Sequence, residues 1–150
     1  MTDTQKEVYE TTKSIMQICK DGEKGYKNAA ENIDNRNLET LFIKLSQQRK
    51  VFYMDLEEEV RVLYGKDVYT DGTFKGAAHR MWQDTKATFS GDTTDSTLEE
   101  CIRGEKAALE AYQEAMTVSL PASIMDRMEE QYGMISSSLM QMETLEVAAD

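Results

Sequence analysis

The sequence predicts an all-α protein, an antiparallel four-helix bundle with a short helix in its long second connection. Three observations predict it. Apolar and small residues recur at alternating steps of three and four along four long segments. The breaks between the first and second and between the third and fourth segments are short, and the break between the second and third is long. One proline and eight glycines in 150 residues leave few of the punctuators that strands and turns need.

The first segment carries Val8, Thr12, Ile15, Cys19, Gly22, Tyr26, Ala29 and Ile33 on one face, which places a helix from about Thr4 to Ile33. Asp34 to Asn37 is short and polar, so the next helix returns antiparallel. That second helix repeats the pattern through Leu38, Leu41, Leu45, Phe52, Leu56, Val60 and Leu63, with Gly65 placed to cap its end. A glycine-bearing loop follows, and residues 73–89 read as a shorter helix that ends at Ser90, Gly91 and Asp92.

The third long helix opens at Ser96, Thr97, Leu98 and Glu99, where Ser96 and Glu99 have the spacing of a capping box. Its stripe is Leu98, Cys101, Glu105, Ala108, Tyr112 and Ala115, and Leu120 and Pro121 stop it because a residue before proline avoids helical geometry. Pro121 also suits the first turn of the fourth helix, whose stripe is Ile124, Met128, Gln131, Ile135, Leu139, Met142 and Leu145. Two hairpins joined by one long crossover is the topology of ferritin-like bundles. A single domain spanning 1–150 accommodates all four helices.

With 28 acidic against 17 basic residues the net charge is −11. A field of that sign repels phosphate backbones and anionic lipid, so neither nucleic acid nor membrane is expected as a partner. It attracts cations such as iron, but in most bundles it serves only to keep the protein in solution. The amino terminus has no basic segment followed by an apolar run, and no stretch approaches about 18 apolar residues, so a cytoplasmic location is expected. Two cysteines so far apart make neither a disulfide framework nor a CxxC site, and reduced thiols are the expected state.

A short internal repeat marks the interior. Cys19-Lys20-Asp21-Gly22-Glu23-Lys24 and Cys101-Ile102-Arg103-Gly104-Glu105-Lys106 both read C-x-x-G-E-K, at matching depths of the first and third helices. Glu23 and Glu105 fall among apolar residues, so each is expected inside or at a helix seam. There a carboxylate must bind a metal, pair with a cation, accept hydrogen bonds or become neutral. The preceding glycines let a neighbouring helix approach closely.

These glutamates resemble the pair that ferritin-like di-iron proteins supply from their first and third helices, the other two helices each adding Glu-x-x-His. No Glu-x-x-His occurs in this chain, and its one histidine, His79, lies in the crossover. The second helix instead brings Arg49, a positive charge where a metal would sit. The expectation is a core polar network of Glu23, Arg49, Glu105 and Gln131, with no cofactor. The alternative is an iron or manganese site on inward carboxylates, with Glu23, Glu105 and Glu130 as ligands and water completing the shell.

The whole chain also resembles a family of small bacterial ferritin-like four-helix-bundle proteins of unknown function. The resemblance rests on D-G-E-K-G-Y-K-N-A-A at 21–30, A-H-R-M-W-Q-D at 78–84 and C-I-R-G-E-K-A-A-L-E-A-Y at 101–112. It implies the fold and an association with stress-related genes, and no activity. The family pattern carries a histidine near position 139, where this chain has Leu139.

Two further features invite a surface role. His79, Arg80 and Trp82 form a candidate surface patch in the crossover, against the plainer reading that Trp82 packs the short helix onto the bundle. Met116, Met125, Met128, Met134, Met140 and Met142 cluster toward the carboxyl end, as a deformable core stripe, a greasy binding face or soft Cu(I) ligands. No phosphate-binding glycine loop or nucleophile–histidine arrangement can be assembled, so no catalytic residue is assigned. The expected function is a non-enzymatic bundle with a structural or interaction role, bound to a protein partner or to itself as a homodimer.

Overall fold

A computed structural model describes residues 1–65 and 94–149, and among them the regular structure is all helix, with no strand. Four long helices appear: α1 (Asp3–Glu31), α2 (Arg36–Tyr64), α3 (Thr94–Ala115) and α4 (Ala122–Ala149). The expected short helix and the His79, Arg80 and Trp82 patch lie outside the described residues.

Local chemistry sets the helix ends. Thr2 caps α1 through a reciprocal box with Gln5: the Gln5 amide donates to Thr2 Oγ1 at 3.1 Å, and the Thr2 amide donates to Gln5 Oε1 at 2.9 Å. Asn35 caps α2 by accepting from the Leu38 amide. Gly65 ends α2 in the left-handed conformation, φ 62°, which a side chain would strain, while its amide reaches the Arg61 carbonyl.

Two expected boundaries move. Helix α3 begins at Thr94, so Ser96 lies within the first turn instead of capping it. Pro121 sits just before α4 instead of in its first turn, and its carbonyl accepts from the Ile124 and Met125 amides.

Packing follows the predicted stripes. Helix α1 packs on α2 and α3, and α4 packs on α3 and α2, which leaves α2 and α3 on one diagonal and α1 and α4 on the other. One apolar cluster joins the first half of α1, the second half of α2, the second half of α3 and the first half of α4, around Ile15, Leu56, Tyr112 and Met128. The other joins the opposite halves, around Tyr26, Phe42, Leu98 and Met142. Every pair of packed helices is therefore antiparallel.

Each fully buried leucine, isoleucine, phenylalanine or methionine in these clusters contributes roughly 1.5–3 kcal/mol. On the predicted stripes Leu63 and Leu145 depart, both exposed near the ends of their helices. The methionines divide: Met128 and Met142 are fully buried, Met116 and Met125 are half-buried, and Met134 and Met140 are exposed.

Candidate functional site: a polar layer between two apolar clusters

Midway along the bundle, where the two apolar clusters meet, polar side chains from all four helices come together. Arg49 from α2 reaches across the diagonal to Glu105 of α3, with Nη1 to Oε1 and Nη2 to Oε2 both 2.6 Å. The fork-on-fork geometry matches guanidinium to carboxylate, and both side chains are buried, at 2% and 0% exposure. Tyr26 and Phe52 flank the guanidinium, with ring centroids 5.4 and 5.8 Å from its central carbon.

Glycine makes room for this arginine. A Cβ on Gly22 would stand 3.3 Å from Arg49 Cγ, so the aliphatic stem of Arg49 lies directly against the α1 backbone. Nearby, the Ser46 hydroxyl donates to the carbonyl of Glu23 at 2.7 Å and ties α2 to α1.

A second chain of hydrogen bonds runs beside the ion pair. Tyr112 of α3 donates to Gln131 Oε1 at 2.7 Å, and Gln131 Nε2 donates to the Phe52 carbonyl of α2 at 3.3 Å. The single phenolic proton being used there, Cys19 of α1 is the donor in its 3.1 Å contact with the Tyr112 oxygen. Proton order therefore runs from Cys19 to Tyr112 to Gln131 to the α2 backbone. Tyr26 donates to Met142 Sδ at 3.8 Å.

Burial sets the ionisation of this layer. It opposes the charge on Arg49, but the attraction and hydrogen bonds of Glu105 outweigh it and hold the guanidinium above its ordinary range. Burial pushes the Cys19 thiol up to about 11. Cys101 rises well above its ordinary value through burial and then the Glu105 charge. The phenols of Tyr26 and Tyr112 are raised by the same burial, seconded by Glu105 for Tyr26 and by Cys19 for Tyr112. Both thiols are free, buried and protonated at neutral pH, which is an inert state for cysteine.

Of the four residues assigned to a core network, Arg49, Glu105 and Gln131 are buried in this layer, although Gln131 bonds Tyr112 and the Phe52 backbone and not the ion pair. Glu23 is only half-buried, and Arg49 gives both of its terminal nitrogens to Glu105. The cause is rotational. Helix α1 presents Gly22 to Arg49, and the next residue is turned about 100° away around the helix, whereas α3 presents Glu105 itself. Matching repeats thus take different places.

The metal alternative meets the same geometry. Glu130 is exposed on α4 and does not converge with Glu23 and Glu105. Among the described residues no three histidine, cysteine, aspartate or glutamate side chains group as metal ligands. Glu105 has both oxygens on a guanidinium, and a fixed positive charge stands where a metal ion would need to be neutralised. The described residues do not fit an iron or manganese centre.

Tyr112, Cys19 and Ser46 complete the layer as polar members, the first two of which the sequence stripes mark only as core positions. A signal was present: Tyr112 follows Glu105 by seven residues on one stripe, and a buried phenol needs a hydrogen-bond partner. An offset of 82 residues superimposes the two repeats and also pairs Arg49 with Gln131, the two layer positions of α2 and α4. The layer is therefore a two-fold arrangement made unequal, with a cation in one half and a neutral amide in the other.

Fold and layer together define a class, an all-α four-helix bundle whose centre is closed by a salt-bridged, hydrogen-bonded stratum. Residues 7–118, 112 of the chain's 150, match DUF2383, a domain of unknown function, and the chain belongs to that family. No curated protein matches it. No described helix is long and apolar enough to cross a membrane.

Proposed function

We propose that this chain is a non-enzymatic bundle of ferritin-like build, in which the place of a metal centre is taken by a structural polar layer, and that it works through its outer surface by protein interaction. The observation that carries the reading is the bidentate pair of Arg49 and Glu105 at the bundle centre. Ferritin-like di-iron proteins place carboxylates and imidazoles from all four helices around such a centre. Here the facing positions on α2 and α4 hold Arg49 and Gln131, so the layer supplies its own cation.

A buried ion pair is poor at adding stability over an apolar core and good at penalising misaligned packing. In this bundle the pair and the Cys19–Tyr112–Gln131 chain would fix which helices face each other and at what register. The acidic surface supports a partner that is neither nucleic acid nor anionic lipid. A cytoplasmic location, a link to stress and a protein partner or homodimer belong to the same reading.

Elemental analysis of protein purified without chelator tests it. Iron, manganese and zinc well below one ion per chain are expected, with a melting midpoint unmoved by added iron(II). Near-stoichiometric metal that disappears in Glu23→Ala or Glu105→Ala would replace this reading with the carboxylate metal site.

A further inference from the structure

Helix α2 has a second apolar stripe that the bundle does not use. Its buried face is Leu38, Phe42, Leu45, Arg49, Phe52, Leu56 and Val60. On the opposite side, at steps of four, four, three, four and four, stand Ile43, Gln47, Val51, Met54, Glu58 and Val62. The four apolar members are exposed by 44, 52, 54 and 72% in chain order, although large aliphatic side chains lined up on a solvated face are unusual in a monomer.

The order of these six residues is self-complementary. Apolar, polar, apolar reads the same from either end about the midpoint between residues 52 and 53. A second α2 laid antiparallel across a two-fold axis there would set Val51 against Met54 and the Gln47 amide against the Glu58 carboxylate at its centre, with Ile43 beside Arg61 and Val62 beside Lys44 of the second copy at its ends. Neighbours on one edge of an antiparallel helix pair meet the same edge of the partner helix. This brings exposed Lys50 within reach of Glu57 of the second copy, twice by symmetry. Like charges do not oppose each other at the centre of the seam.

We propose that the outer face of α2 is an isologous docking seam for a second copy of this chain. The proposal rests on the interaction reading above and names its partner. The seam spans 20 residues, roughly 28 Å of helix. That length is modest for a stable interface, so the expected dimer is a reversible one.

Sedimentation velocity of the full chain across a concentration series tests it. Wild-type protein shifts from one to two copies as concentration rises. Val51→Glu and Met54→Glu abolish the shift while keeping the helical signal and melting midpoint, since both residues lie opposite the core. Lys50→Glu weakens association roughly fivefold, and Lys50→Glu with Glu57→Lys restores it. A chain monomeric at several hundred micromolar, whether because the face is covered by the chain itself or simply idle, overturns the seam. So does a dimer indifferent to the two glutamate variants, or capture only of an unrelated protein on this face. A metal-free monomer would sink the seam and leave the non-enzymatic reading standing. A metal-loaded dimer sensitive to Met54→Glu would do the reverse.

Discussion

Arg49 and Glu105 are joined by two 2.6 Å contacts across a diagonal of the bundle, between helices that otherwise barely touch. The pair therefore does what direct α2–α3 packing does not, and both members are almost wholly removed from water. Removing either partner strands the other charge in the interior. Arg49→Leu or Glu105→Leu alone is expected to lower unfolding stability by roughly 3–5 kcal/mol. The double substitution should recover most of that loss, because well-packed apolar side chains are about as stable as a buried pair. Urea melts of the four proteins decide it. A double variant as unstable as the sum of the singles would show that the layer's value lies elsewhere.

Glu23 shares its motif with Glu105 and not its partner. Half-buried at the edge of α1, it is expected to tolerate Glu23→Gln at a cost of less than about 1 kcal/mol. Glu105→Gln, which leaves the Arg49 charge uncompensated, should cost several times as much. Equal losses in thermal melts of the two variants would contradict the geometry.

Two helix glycines should respond in opposite directions to alanine. At Gly133 a Cβ meets nothing within 4 Å, so Gly133→Ala gains up to about 1 kcal/mol of helix propensity and raises the midpoint by about 2–4 °C. At Gly22 the same atom would press on the Cγ of an arginine that Glu105 holds in place. Overpacking of about 1–3 kcal/mol then outweighs the propensity gain, and the midpoint falls. A stabilised Gly22→Ala would mean that Arg49 is free to move aside.

Tyr112→Phe keeps the ring and removes the link between Cys19 and Gln131. The buried Gln131 oxygen loses its donor, and a loss of about 1–3 kcal/mol is expected. A chemical denaturation curve coincident with wild type would show that the chain of bonds contributes nothing.

Stability should decline in alkali. Cys19, Cys101, Tyr26 and Tyr112 all have raised values in the fold, against ordinary values of 9.0 for the thiols and 10.0 for the phenols. Above about pH 9 the unfolded chain releases protons that the native state retains, so unfolding is increasingly favoured. Their contribution is complete below pH 9 and falls away as pH climbs through 11, the value of Cys19. Melting midpoints from pH 7 to 11 should descend over that window, and less steeply in Cys19→Ala. A flat profile would mean that these groups are not shielded from water.

The sequence alone determined the four helices, their buried stripes and the antiparallel order of each hairpin. Periodicity, caps and connection lengths are local quantities that fix a helix and its apolar face before packing begins. Arg49, Glu105 and Gln131 were legible as interior polar residues because charged or amide side chains on an apolar stripe must find partners. Tertiary structure alone decided who those partners are. Which of two matching glutamates meets Arg49 depends on how each helix is rotated about its axis, a degree of freedom that settles only when all four pack, and α1 settles with Gly22 forward. The same rotation gave α2 an apolar stripe facing away from the core, whose residues a linear pattern counts as polar-side exceptions until the buried face is known.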